Sequence, residues 1–384
     1  MPNKFNEPVA AAPVLEMIDN QIAVNVSPDP VQLDESLDLE WCDAAWRDAS
    51  LESICQEVFT LSRAGESEQV TSFSPDVSFL IWSMNPPGMM RDWLVGIRRR
   101  KAPHELVGFI CGLPMSASIG GILIDRVMEI KNLYVHPVLR GNRLTPILIS
   151  EVSRRVRRSN FCVALYTSSV TITRPLCKAR FYQRPLNMAK LAAARFKDVS
   201  RGQTLPRLAQ RYGHAAPLPF GWKRLEEKHL EPAWKLLEEH LRGFQVHQVM
   251  PFAQFEYWFG PLRHSSVHAY VVENADGRVE AFCAWHVMDA AALSNSGKPM
   301  TLRAAFSHYN AGKDLGVLMQ AQIAQLLLDD VDVSMWLDIG GNEEYLLDFE
   351  QSRAEVTSEY LLYHLYNFRA KPCDDCAEFK VCFF

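Results

Sequence analysis

The run from residue 106 to residue 166 constrains this chain most. Leu106-Val107-Gly108-Phe109-Ile110-Cys111-Gly112-Leu113 is apolar at successive positions, which suits a strand buried on both faces. Residues 127–135 read as a second strand, stopped by Pro137. A helix is predicted next. Pro146 suits its first turn, Ile147, Leu148, Val152 and Val156 give it an apolar face, and Arg154, Arg155, Arg157 and Arg158 load the end where the helix dipole favours cations. Residues 161–166 form the third strand. Between second strand and helix lies Arg140-Gly141-Asn142-Arg143-Leu144-Thr145-Pro146. Free N–H groups at a helix N-terminus, with two guanidinium groups, make a cradle suited to a pyrophosphate. Loop arginines are more often solvated charge, so the pattern alone leaves both readings open.

The second half shows a similar order. Residues 267–273 and 281–286 alternate as a hairpin around Asn274-Ala275-Asp276-Gly277, followed by a predicted helix over 317–328 and a strand over 331–337. No residue-level repeat accompanies this order. A length of 384 residues favours two domains, which we divide at Phe220-Gly221-Trp222 into 41–219 and 220–384. Residues 1–40 lack a steady period and read as an extended arm. Leu51, Ile54, Val58 and Leu61 follow a helical face, and Phe79-Leu80-Ile81-Trp82 carries the apolar pattern up to Pro86-Pro87-Gly88.

Composition mainly excludes. Lys+Arg 40 against Asp+Glu 45 gives a net charge of -5, too little positive field to hold nucleic acid phosphates. No apolar run reaches the ~18 residues of a membrane span, and Met1-Pro2-Asn3-Lys4-Phe5 lacks a signal peptide's cationic start, so a cytoplasmic protein is expected. Most of the nine cysteines lie in apolar segments and read as buried thiols. Cys373-Asp374-Asp375-Cys376, with Cys382, is short of the four ligands of a zinc site, and its intervening acids disfavour a redox pair.

Two strands, a phosphate-suited turn, a helix and a strand resemble the core of GNAT-type acyltransferases, which hold coenzyme A at that turn. More specifically, Glu129-Ile130-Lys131-Asn132-Leu133-Tyr134-Val135-His136, Leu139-Arg140 and Arg143-Leu144-Thr145-Pro146 resemble the block that in protein N-myristoyltransferases joins the oxyanion site to the coenzyme A site. The likeness continues through Arg180-Phe181-Tyr182-Gln183-Arg184-Pro185-Leu186-Asn187, Ala304-Ala305-Phe306-Ser307-His308-Tyr309-Asn310 and Leu365-Tyr366-Asn367-Phe368, and covers the chain from about residue 50 to its end.

The resemblance implies an α/β (α+β) fold of two GNAT-like halves, forming a pseudo-two-fold saddle around a mixed β-sheet. The first half would bind acyl-coenzyme A, and the second would bind peptide and supply the C-terminal carboxylate. It implies transfer of myristoyl from myristoyl-CoA to the N-terminal glycine amine of proteins, by a monomer with no metal and no cofactor beyond that co-substrate. The carboxylate of Phe384 would be the base, and backbone N–H groups of Asn132 and Leu133 would meet the oxyanion. Leu133, Tyr134, Val135, Arg140, Gly141, Asn142, Arg143, Leu144 and Thr145 would contact acyl-coenzyme A, with Lys4, Phe5 and Asn6 of the arm. Glu66, Glu68, Phe73, Thr167, Tyr182, Gln183, Ser307, Tyr309 and Asp338 would line the peptide groove. Lys131 stands where the family has a polar amide, Asn132 for an aromatic, Asn142 for a lysine and Gln183 for a histidine. The glycine-rich loop before the last long strand is replaced by Glu355-Val356-Thr357-Ser358-Glu359. These departures motivate two alternatives: a relative that binds acyl-coenzyme A or myristoylated peptides without turnover, and a GNAT-type enzyme with another acyl donor.

Overall fold

A computed structural model describes residues 16–18, 26–65, 73–261, 263–348, 353–373 and 375–383. Strands β1 (Glu16–Met17) and β2 (Leu39–Trp41) precede helices α1 (Asp43–Trp46), α2 (Leu51–Ser62) and α3 (Val77–Ser83). Strands β3 (Leu94–Arg99), β4 (Leu106–Ile119) and β5 (Ile122–Val135) lead to α4 (Leu144–Arg157), β6 (Val163–Ser168), β7 (Cys177–Pro185), α5 (Met188–Ala193) and α6 (Leu205–Tyr212). The chain continues through β8 (Trp222–Arg224), α7 (Leu230–Leu241), β9 (Val246–Val249), α8 (Phe252–Phe259), β10 (Val267–Glu273), β11 (Val279–Leu293) and β12 (Pro299–Gly312). It closes with α9 (Leu315–Leu328), β13 (Val333–Leu337), α10 (Asn342–Leu347), β14 (Glu355–Tyr366), β15 (Phe368–Arg369) and β16 (Phe379–Lys380).

Local chemistry explains the boundaries. Ser50 caps α2 by accepting from Ser53 N, and Asp76 caps α3 by accepting from Phe79 N at 2.7 Å. The predicted strands are the cores of longer ones, because β4 and β5 join in a hairpin whose turn, Gly120-Gly121, has φ of 59° and 82°. Two successive positive φ values suit glycine, and the sequence reading passed over this turn.

Among the described residues fourteen strands form one sheet in the order β16-β9-β4-β5-β6-β14-β7-β13-β12-β11-β10-β8, with β3 pairing β4 and β2 pairing β3. The order is symmetric about its centre. On one side the β4–β5 hairpin passes through α4 to β6, which lies parallel to β5; on the other the β11–β12 hairpin passes through α9 to β13, parallel to β12. The last long strands are exchanged. β7 follows β6 in the chain but pairs β13, while β14 follows β13 but pairs β6, and the two pair each other at the middle. Each half therefore completes the sheet of the other.

Helices cover both faces. In β4, Phe109 and Cys111 pack toward α2 and α3, and Ile110 packs toward α4, so the continuous apolar run is buried on two sides as expected. Helix α4 buries Leu144, Leu148, Val152 and Val156 against β3, β4 and β5, each such side chain contributing about 1.5–3 kcal/mol. Its arginines do more than complement the dipole. Arg154 Nη2 and Arg155 Nε donate to the fully buried Glu151 at 2.6 and 2.7 Å, Val31 N donates to its other oxygen, and Arg155 also pairs Asp43. These bonds hold Glu151 below the usual carboxylate range despite its burial, and they tie residues 31 and 43 to the helix.

Candidate active site

The site grows from an irregularity in β5. Phe109 faces Tyr134 and Cys111 faces Lys131, so one residue of β4 stands opposite two of β5, Asn132 and Leu133. Such a bulge needs a residue that tolerates the left-handed region, and Asn132 has φ of 55°. On its other edge β5 stays parallel to β6 only as far as Ile130 opposite Tyr166. Asn132 and Leu133 thus have no register partner on either strand.

Where β5 and β6 part, a cavity of about 590 Å³ opens. Residues 128–133 of β5, Val163, Ala164, Tyr166, Thr167 and Ser168 of β6, and Ile149, Val152 and Val156 of α4 form its walls, which are mostly apolar. Thr167 lies in this wall. A neighbouring cavity of about 300 Å³ shares Leu133 and brings Tyr134, Val135, Arg140 and Thr145 together against Leu61, Ser62 and Ala64. The turn above it is shaped by Gly141, with φ of 90°, and by Arg143, a left-handed N-cap that puts no side chain on the first N–H groups of α4. Arg140, Asn142 and Arg143 are exposed, whereas Leu144 turns into the core. The open helix end therefore faces solvent among guanidinium groups, as an anion cradle requires.

The C-terminal tail reaches the same cavity from the other half. Strand β16 pairs parallel with β9, and beyond it Tyr363 Oη donates to Val381 O at 3.0 Å. Cys382 N donates to Tyr309 Oη at 3.2 Å, and Tyr309 Oη donates to Gln248 Oε1 at 2.7 Å. Phe383 then forms part of the wall of the larger cavity. Phe384 lies outside the described residues, as do Lys4, Phe5, Asn6, Glu66 and Glu68.

The remaining predicted groove residues differ in their surroundings. Tyr309 is fully buried beneath the tail, so its phenol serves chain contacts. Phe73 packs edge-on against Phe196 and Phe306. Tyr182 is buried in the core under α9, while Gln183, next along β7, is half-buried and on the opposite face. Ser307 Oγ donates to Gln322 of α9, and Asp338 accepts from Arg180 N at 2.7 Å. Burial raises the carboxyl of Asp338.

Sequence reasoning missed a buried polar group beside the bulge. Lys131 Nζ lies 3.8 Å from Glu129 Oε1, and burial lifts the Glu129 carboxyl against the pull of that lysine. His286 Nδ1 and His308 Nε2 meet at 2.5 Å. Burial, aided by the charge of Lys131, drives His286 down to about 3 and His308 well below its ordinary value. Both imidazoles are neutral at pH 7, one donating and the other accepting. His308 lies in the segment Ala304–Asn310 that resembles the family, but only the pairing of β11 with β12 reveals its partner.

A bulged strand parting from a parallel neighbour, above an uncapped helix N-terminus, defines an acyltransferase of the GNAT fold. A GCN5-related N-acetyltransferase from Anabaena variabilis shares that fold at a TM-score of 0.50 with 12% identity, over 85% of this chain and 72% of that one. The chain belongs to the myristoyl-CoA:protein N-myristoyltransferase family: residues 17–179 match the family's N-terminal domain and 193–381 its C-terminal domain. A glycylpeptide N-tetradecanoyltransferase of Arabidopsis thaliana is 30% identical over 366 residues, 92% of this chain and 80% of that protein. One of Drosophila melanogaster is 30% identical over 80% of this chain, which spans 66% of the fly protein's length. The crystal structure of Saccharomyces cerevisiae N-myristoyltransferase with bound myristoyl-CoA superposes at a TM-score of 0.84 with 25% identity, covering 96% of this chain and 91% of that one. Among the described residues no helix is long and apolar enough to cross a membrane, and no group of three or more His, Cys, Asp or Glu could hold a metal ion.

Proposed function

We propose that this chain transfers a myristoyl group from myristoyl-CoA to the N-terminal glycine amine of protein substrates. The observation that carries the reading is the cavity between β5 and β6, where the bulged backbone at Asn132 and Leu133 lines an apolar slot whose wall includes Phe383. In this reading the turn at residues 140–145 takes the coenzyme A phosphates and the apolar walls take the acyl chain. The glycine amine attacks the thioester carbonyl directly, the oxyanion is met by the two N–H groups, and the coenzyme A thiolate leaves. The Phe384 carboxylate takes the amine proton; a carboxylate in a partly desolvated site is a stronger base than one in water. The half 41–219 would hold acyl-coenzyme A and 220–384 the peptide. Glu66 and Glu68 would receive a basic substrate residue. A cytoplasmic monomer suits such a role.

The test is turnover of myristoyl-CoA by the untagged chain with a peptide beginning Gly-x-x-x-Ser, reading coenzyme A release together with peptide mass. Acylated peptide is expected, and removal of Phe384 alone, which keeps Phe383 in the cavity wall, should abolish it while leaving acyl-coenzyme A binding intact. One observation favours a second reading. Lys131 puts an ammonium group into the cavity wall beside the bulge, and a cation there would disfavour a charged substrate amine. Tight acyl-coenzyme A binding without any product would establish that binding-only relative.

A further inference from the structure

The cysteine pair that the sequence set aside has a different partner in three dimensions. Cys177 opens β7 in the first half, and Cys376 lies in the tail, seven residues before Phe383. Cys177 Sγ donates to Cys376 Sγ at 3.3 Å, and Cys376 Sγ donates in turn to Lys178 O at 3.2 Å. The backbone holds the two segments together: Cys373 N donates to Leu176 O at 2.7 Å, and Gly340 N donates to Cys376 O at 3.1 Å. Cys177 is buried while Cys376 is only partly so. One thiol can therefore meet a small oxidant, and the other is already placed against it.

We propose that Cys177 and Cys376 form a reversible disulfide in the presence of a peroxide, pinning the tail to β7 and lowering transfer activity. The consequence for activity rests on the tail carrying the catalytic carboxylate; the bond itself does not. The Cys376 thiolate attacks one peroxide oxygen, the O–O bond breaks, and the departing hydroxide takes a proton and leaves as water. The sulfenic acid so formed is attacked at sulfur by Cys177, whose proton leaves with the second hydroxide. Two thiols lose two hydrogens, and one peroxide becomes two waters. The hydrogen bond to Cys376 and burial push the Cys177 thiol up, so Cys376 meets the oxidant first. Contact with the sulfenic sulfur compensates for the scarcity of its thiolate.

Closing 3.3 Å to the roughly 2.05 Å of a disulfide draws Cys376 toward β7 by about 1.2 Å and removes its bond to Lys178 O. A shift of about 1 Å transmitted to a catalytic group costs up to ~100-fold, so a fall in turnover of about ten-fold or more is expected. The full, untagged, reduced chain would be treated with hydrogen peroxide, digested without reductant and mapped by mass. The expected product is one peptide pair joined through Cys177 and Cys376, two hydrogens lighter, with turnover restored by dithiothreitol. Cys376→Ser should give no cross-link and keep its turnover under peroxide, and Cys373→Ser should still cross-link. A Cys376 sulfinic acid without a bond to Cys177, a Cys373–Cys376 bond instead, or a cross-linked enzyme as active as the reduced one would each overturn the proposal. A reduced chain with no turnover would refute the transfer reading, while the mass map would still decide whether the pair forms.

Discussion

Tyr363→Phe tests whether the tail is held by a hydrogen bond or merely by packing. The substitution deletes one atom. Tyr363 is fully buried, its ring packs 4.5 Å from Phe379 and 5.7 Å from Phe383, and those contacts survive in phenylalanine. What is lost is the 3.0 Å bond to Val381 O, which lies in an equally buried segment and is left without its donor. An orphaned buried carbonyl costs about 1–3 kcal/mol. If that cost falls on docking of the tail, the ratio of docked to undocked tail drops by about 5- to 150-fold. kcat should fall by up to that factor wherever the docked form no longer dominates. Tyr363 lines neither cavity, and the tail contributes Phe383 to the wall of the larger one, so affinity for myristoyl-CoA should fall less than kcat. The assay is kcat with the glycine peptide beside a direct titration of myristoyl-CoA and a thermal melt. An unchanged kcat with a lowered Tm would show that the bond stabilises the fold without positioning the terminus. Equal losses in kcat and ligand affinity would mean a general disruption, and the reasoning would fail.

Gly340→Ala should have a related effect by a different route. Gly340 has φ of 62° and a Cβ there would lie 2.1 Å from Lys380 Cδ, so the buried Lys380 side chain must move and its packing on β16 is lost; limited carboxypeptidase digestion should then release the tail faster than in the parent. Arg140→Ala combined with Arg143→Ala should raise KM for myristoyl-CoA by about ten-fold or more with kcat nearly unchanged, and should flatten the salt dependence of KM. Hydrogen bonds from Lys223 and His229 hold the Glu273 carboxyl down to about 2, against an ordinary 4.5. A depressed carboxylate contributes stability that is complete above its unfolded value and is lost as pH falls through its folded value. The melting temperature should therefore decline between about pH 4.5 and pH 2, and Glu273→Gln should flatten that part of the profile.

The first GNAT-like unit was legible because its evidence is local. A two-sided apolar run such as 106–113, a strand ended by Pro137 and a helix with Pro146 in its first turn are written in consecutive residues; the structure extends both strands and runs the helix over Leu144–Arg157. The turn at residues 140–145 was legible for the same reason, since an uncapped helix start is a property of a few adjacent positions. What escaped was decided by pairing across the chain. No periodicity says that β14 lies beside β6 instead of next to β13, yet that exchange brings the chain's end from the second half into the first. Tyr309 shows the consequence. The resemblance puts it in the peptide groove, and its phenol accepts from Cys382 N once the tail returns beside β9. Arg154 and Arg155 likewise satisfied a dipole argument from sequence, whereas Glu151 engages them and links the helix to residues 31 and 43. The exchanged strands make one physical demand that neither half meets alone. β6 is closed by β14 and β13 by β7, so the cavity at Asn132 and the tail that reaches it form only when both halves are folded together. A chain cut at the 219/220 boundary should thus lose the site even if each piece keeps its own hairpin.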